Sequence, residues 1–149
     1  MLNQIIEAIS TAIYEEFGDG YRYYNELVEQ ELEAPCFFIQ CLNPAHKLFL
    51  NRRYYRQNHF VIQYFPQSKT EYQREINDVA ERLYECLEYI TLYNEAAEAN
   101  ENKPIRGSEM HHNENGGVLN FMIDYNCFMI RTESNDAMET MESVTIPKE

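Results

Sequence analysis

Leu2, Ile5, Ile6, Ile9, Ala12, Ile13 and Phe17 recur at helical spacing, with Asn3, Gln4, Glu7, Ser10 and Glu15 on the opposite side. The pattern predicts an amphipathic helix over residues 2–17. Gly18-Asp19-Gly20 ends it, because glycine accepts the left-handed conformation that closes a helix. Burying each large side chain of such a stripe contributes about 1.5–3 kcal/mol, so the helix is expected to pack on a sheet. A second stripe, Ile76, Val79, Ala80, Leu83, Cys86, Leu87 and Ile90, runs to about Tyr89. Its counterpart is charged: Glu75, Asp78, Glu81, Arg82, Glu85 and Glu88. Ser68-Lys69-Thr70-Glu71 reads as a capping box opening this second helix, with Glu71 reaching back to the first turn.

Between and after the helices the period changes to two. YRYYNELVE, PCFFIQCL after Pro35, and RRYYRQNHFVIQYF up to Pro66 are rich in aromatic and β-branched residues and predict strands. In the third, Phe60, Ile62 and Tyr64 alternate with His59, Val61 and Gln63, which assigns the even positions to the core. NPAHKLFLN, flanked by basic residues, reads as a loop or hairpin arm projecting from the domain. IRGSEMHHNENGGVLNFMIDYNCFMIRT reads as a hairpin, because Asn115-Gly116-Gly117 supplies the positive φ angles of a tight turn. Glu109 to Glu114 is one arm. In the other, Leu119, Phe121, Ile123, Tyr125, Cys127 and Met129 share a face.

These elements predict an α/β (α+β) fold: a mainly antiparallel sheet with two amphipathic helices packed on it. A chain of 149 residues accommodates one such domain with a sizeable core. Its bounds are drawn at residues 1–132. YNEAAEANENKP, Tyr93 to Pro104, has the composition of an exposed loop without fixed structure. Residues 133–149 form an acidic tail expected to be disordered, with Met138, Met141, Val144 and Ile146 available for burial by a partner.

Composition narrows the function. No apolar run approaches the roughly 20 residues of a membrane helix, and the N-terminus lacks the basic region of a secretion signal. The reading is therefore of a protein kept in the cytoplasm, with no membrane partner. Net charge is −13, from 25 acidic and 12 basic side chains, which argues against broad binding of a phosphate backbone. Lys47, Arg52, Arg53 and Arg56 nonetheless cluster, and NRRYYRQ interleaves arginine with Tyr54 and Tyr55. Arginine and tyrosine serve both as stacking platforms for single strands and as protein–protein hot spots. In a chain this acidic the second use is favoured.

Catalytic chemistry finds no support. Cys36, Cys41, Cys86 and Cys127 form no CxxC pair. Cys36 and Cys41, an odd number of residues apart, point to opposite faces of a strand and read as buried thiols. Adjacent His111 and His112 diverge in the same way, so a metal would need Glu109, Glu114 or His59 as further ligands. Glu101-Asn102-Lys103 has a nuclease-like spacing but sits in the acidic loop, where ligands are not held rigidly. There is no GxGxxG, P-loop or GxSxG. No catalytic residue, cofactor site or metal site is expected.

The order and spacing of LNQIIEAISTAIYEEFGDGYRYY, EAPCFFIQCLNP, YYRQNHFVIQYFP, NDVAERLYECLEYI and IRGSEMHHNENGGVLNFMIDYN resemble the small tail terminator proteins of long-tailed phages and Gram-positive prophages. PCFF and GVLNFMIDYN are the most specific phrases. The resemblance spans Leu2 to about Thr132; the loop Asn94–Lys103 and the acidic tail depart from it. It implies a structural virion protein without cofactor. Such proteins form a homo-hexameric ring on the tail tube, stop its polymerisation, and join the tail to the head-completion or connector protein. Free subunits can be monomeric. The localisation implied is the virion tail, with assembly in the host cytoplasm.

Ring closure needs two different, complementary patches on each subunit. An acidic chain with one basic, Tyr-rich segment fits that need, and an acidic lumen lets DNA slide without specific binding. Lys47, Arg52, Arg53, Tyr54, Tyr55 and Arg56 are therefore expected at a subunit or tail-tube interface. The alternatives are another head–tail connector or neck protein and, further off, a nucleic-acid- or metal-binding protein.

Overall fold

The computed structural model describes residues 2–25, 33–92, 103–131 and 139–141. Its elements in chain order are α1 (Leu2–Phe17), a single 3-10 turn (Gly18–Gly20), β1 (Arg22–Tyr24), β2 (Cys36–Leu50), β3 (Arg53–Phe65) and α2 (Tyr72–Cys86). These are followed by β4 (Tyr89–Leu92), β5 (Lys103–Arg106), β6 (Ser108–Asn115), β7 (Val118–Asp124), β8 (Cys127–Arg131) and β9 (Glu139–Met141). The result is the expected α+β architecture: two helices on a mainly antiparallel sheet.

The main sheet has seven strands, in the order β1-β2-β3-β7-β6, with β8 also on β3 and β9 on β8. Among the described residues only β1 with β2 pairs in parallel. β4 and β5 form a separate antiparallel pair. The alternation read from β3 holds, because Phe60, Ile62 and Tyr64 are buried. They join Phe37 and Ile39 of β2, Leu119, Phe121 and Ile123 of β7, and the inner stripes of both helices in one core. Val61 is buried too although it points the other way; in register it lies between Gln40 and Met122 on the second face of the sheet. That face carries an amide ladder: Gln63 Nε2 donates to Asn120 Oδ1 at 2.9 Å, and Asn120 Nδ2 donates to Asn113 Oδ1 at 3.1 Å.

Four expectations change. Helix α2 starts at Tyr72, and Ser68-Glu71 is not a capping box. The Ser68 hydroxyl does accept the Glu71 N–H at 3.0 Å. The reciprocal carboxylate is Glu75, which accepts the Tyr64 hydroxyl at 2.6 Å, the Gln67 N–H at 2.7 Å and the Ser68 N–H at 3.3 Å. These bonds keep residues 67–71 in a loop closing over the end of β3. Secondly, α2 stops at Cys86, so Ile90 of the predicted stripe belongs to β4. Tertiary donors take up the carbonyls beyond the helix: the Tyr125 hydroxyl bonds Leu87 O at 2.5 Å and the Gly107 N–H bonds Glu88 O at 2.7 Å.

Thirdly, Lys103–Arg106 is a strand paired with β4 and Ile105 is buried, so IRG does not start the hairpin. Fourthly, the apolar arm of that hairpin breaks after Asp124 into β7 and β8, both paired with β3. Its buried face persists through the break, from Leu119 to Cys127, and the side chain of Met129 lies outside the described residues. The hairpin turn itself is as read: Gly116 and Gly117 have φ of 63° and 81°, and Glu114 Oε1 accepts the Gly117 N–H at 2.7 Å.

Of YRYYNELVE, Arg22–Tyr24 forms the short β1, and residues 26–32 lie outside the described residues. The loop read at Tyr93–Pro104 lies outside them up to residue 102. So does the acidic tail except for Glu139–Met141, which pairs with β8. No helix among the described residues is long and apolar enough to cross a membrane.

Candidate assembly interface

β2 and β3 form a long hairpin whose register runs from Cys36 opposite Phe65 to Leu50 opposite Arg53. Its two halves differ. In the inner half Cys36 to Ile39 are buried, whereas from Leu42 onward every residue of β2 except the half-buried Ala45 is exposed.

The change falls at one level of the sheet. The β2–β3 register shifts between Leu42 and Ala45, where Asn43 has a positive φ of 45°. Opposite that shift is Asn58, the one fully buried polar side chain among the described residues. On its other flank the chain passes from β7 to β8 through Tyr125-Asn126. Asn58 Nδ2 donates to the Tyr125 carbonyl at 2.8 Å, the Tyr125 N–H donates to the Asn58 carbonyl at 2.9 Å, and the Asn58 N–H donates to Asn126 Oδ1 at 2.9 Å. His59 Nδ1 and Asp124 Oδ1, 2.6 Å apart, close the same level on the second face. The bulge and the strand break thus leave their displaced backbone groups and the Asn58 amide nitrogen paired, while Asn58 Oδ1 is buried without a hydrogen-bond partner among the described residues.

Beyond this joint the sheet continues as an arm made of outer β2, outer β3, β8 and β9. The sequence reading left NPAHKLFLN open between a loop and a hairpin arm; it is the outer half of β2. All six predicted interface residues sit on the arm, although not on one face. Arg52 is exposed in the turn that joins β2 to β3, next to Asn51 with φ of 52°. Lys47 pairs with Tyr55, and alternation puts Arg53 on their side. Tyr54 and Arg56 share the other side with Leu48 and His46, their register partners.

The two tyrosines are partly used up inside the arm. Tyr55 packs on Phe128 with ring centres 4.9 Å apart, and Phe49 meets the same ring edge-on at 5.1 Å. Tyr54 stacks on His46 at 4.5 Å. At the base of the arm, burial pushes the Cys41 thiol up from its ordinary pKa, an effect partly opposed by the Arg56 guanidinium.

The sequence reading missed the apolar component of this surface. Leu48 is 64% exposed, Phe49 53%, Leu50 40% and Leu42 37%. They account for four of the six large hydrophobic side chains exposed among the described residues, so unburied apolar surface concentrates on this one strand. The run Leu48-Phe49-Leu50 beside Lys47 was the available signal, overshadowed by the arginines that follow.

The histidines lie elsewhere. His111 and His112 are exposed on β6; His112 Nδ1 is 2.7 Å from the Tyr84 hydroxyl, and His111 Nδ1 is 3.0 Å from the Glu109 carbonyl oxygen. Among the described residues no three His, Cys, Asp or Glu side chains are grouped to hold a metal ion. Cys36 and Cys127 are buried, and Cys41 and Cys86 are half-buried. Burial pushes Cys36 up to about 11 and Cys86 up to about 12, which keeps both protonated and unreactive at neutral pH.

Comparison with known proteins bears on this arrangement. No curated protein matches the chain. A family model described as phage tail terminator protein matches residues 4–137, which takes in α1, the whole main sheet up to β8, the arm hairpin and α2. With a match over all but its two ends, the chain belongs to the phage tail terminator family, a family of structural virion proteins.

Proposed function

We propose that this protein closes the growing end of the phage tail tube as a homo-hexameric ring, ends tube polymerisation, and presents the face to which the head is joined. The family match carries the reading. The arm supports it, because a subunit working through a ring needs an exposed adhesive surface distinct from its core. Lys47, Arg52, Arg53, Tyr54, Tyr55 and Arg56, with Leu48, Phe49 and Leu50, form that surface and meet a neighbouring subunit or the tube protein. Apolar side chains supply the burial, while the surrounding cations select an acidic partner surface and set its register.

Deleting the gene and imaging the resulting tails by electron microscopy tests the function. Overlong tails are expected. Tails of normal length that fail to join heads would instead identify a neck protein. Reversing the charge of the exposed Lys47 and Arg52 together tests the surface. Loss of ring assembly or tail joining is expected from a protein that still folds, and intact assembly with joining would exclude the arm.

A further inference from the structure

The arm is a small sheet in the order outer β2, outer β3, β8, β9, and its two edges differ. Outer β2 pairs with β3 on one side and with no strand on the other among the described residues, since β1 reaches only Cys36 to Phe38. The far edge of β8 is covered by β9, with Met129 opposite Met141, Ile130 opposite Thr140 and Arg131 opposite Glu139. An uncovered strand offers its backbone N–H and C=O groups to any other strand, so β9 closes an edge that would otherwise accept one.

The cover is slight. β9 has only 3 residues and lies beyond residues 4–137, the part of the chain that matches the family. The stretch that carries it is acidic, with Glu133, Asp136, Glu139 and Glu142, whereas the arm carries Lys47, Arg52, Arg53 and Arg56. Opposite charge favours its seating without fixing it there, because attraction between surface charges is weak and screened by salt.

We propose that β9 holds, in the free subunit, the place that outer β2 of a second copy takes on assembly. The inference rests on the reading of the arm as an assembly surface and adds how that surface is kept from pairing early. Two observations select the occupant. The β8 edge and the outer β2 edge are different patches of one molecule, so joining them is heterologous and propagates head to tail until a ring closes. Outer β2 also brings what β9 lacks: it replaces the strand pairing and carries the exposed Leu48, Phe49 and Leu50, whose burial favours the exchange. A seated β9 lowers the apparent affinity of the edge by the fraction of subunits in which it is lifted, which keeps free subunits apart.

Locking β9 in place tests the exchange. Ile130→Cys and Thr140→Cys stand at directly opposed positions, close enough for a disulfide. Purified double variant, oxidised or reduced, is added to extracts containing tails made without the protein. Overlong or unjoined tails are expected from the oxidised form and normal ones from the reduced form, which also shows that the variant folds; each single variant, oxidised, reports effects of the native thiols. In a second arm, protein carrying Ile130→Cys is mixed with protein carrying Leu48→Cys on tails and treated with a short bismaleimide. Covalent dimers are expected, and none when Asp78→Cys on exposed α2 replaces Leu48→Cys. Normal termination by the oxidised form, or no dimer from the Ile130 and Leu48 pair, overturns the exchange. If Lys47→Glu with Arg52→Glu still abolishes ring assembly or joining in that case, the arm reading stands; if that variant also works normally, the arm reading falls too.

Discussion

Asn58 and Tyr125 bind each other reciprocally: Asn58 Nδ2 donates to the Tyr125 carbonyl at 2.8 Å, and the Tyr125 N–H donates to the Asn58 carbonyl at 2.9 Å. The pair sits where β2 shifts register and β7 gives way to β8. Asn58→Leu keeps the approximate size but leaves the Tyr125 carbonyl buried without its side-chain donor. The expected cost is about 1–3 kcal/mol, read as a lower urea midpoint at unchanged slope. An unchanged midpoint would mean that the joint does not depend on the amide.

Gly107 lies between β5 and β6 against the core. A β-carbon there would stand 2.4 Å from Ile123 Cδ1 and 3.0 Å from the Leu87 carbonyl oxygen. Gly107→Ala is therefore expected to destabilise by about 1–3 kcal/mol through overpacking. Ile123→Val removes the closest methyl, so the double variant should lose less than the sum of the two single losses. Strict additivity in chemical denaturation would contradict the clash.

Glu75 rather than Glu71 organises the entrance to α2, since it accepts from Tyr64, Gln67 and Ser68. Glu75→Ala should cost about 2 kcal/mol or more, because bonds to a charged acceptor are the stronger kind. Glu71→Ala should fall within about 0.5 kcal/mol of wild type, as for ordinary surface changes. Thermal melts of the two variants compare them directly, and a reversed order would restore the capping box.

Stability should decline in alkali. Burial raises Cys36 from 9.0 to about 11 and Cys86 from 9.0 to about 12, and raises Tyr23 from 10.0 to about 12. Tyr64 and Tyr125 are also pushed up, chiefly by burial. In each case the native state holds its proton where the unfolded chain has lost it. The stabilisation is complete below about pH 9 and is lost progressively as pH rises through the native values. Urea midpoints measured from pH 8 to pH 10.5 are expected to fall steadily above pH 9, and a flat profile would contradict the shifts.

Both helices and the inner strands were legible because burial on one side imposes a period, and Phe60, Ile62, Tyr64 and the run from Leu119 to Cys127 obey it. What remained hidden is set by groups distant in sequence. Nothing near Ile90 announces that the Tyr125 hydroxyl and the Gly107 N–H would take the carbonyls after Cys86 and turn a helical stripe into β4. The break at Asn126 is likewise invisible without its partner Asn58, 68 positions earlier. For the candidate interface, charge was readable, since Lys47, Arg52, Arg53 and Arg56 stand out in an acidic chain. The apolar share was not, because Leu48 and Phe49 look like strand core until the fold leaves them without a layer above.

The pairing of β9 with β8 has a consequence for how the molecule can be tuned. Glu139–Met141 comes after every core element in the chain, yet it extends the arm rather than the body. A change in that late stretch therefore acts on the arm, the surface proposed for assembly, rather than on the packed body. The arm thus draws on a stretch of chain to which the core owes nothing, so its outer edge can change in sequence while the packing beneath is kept.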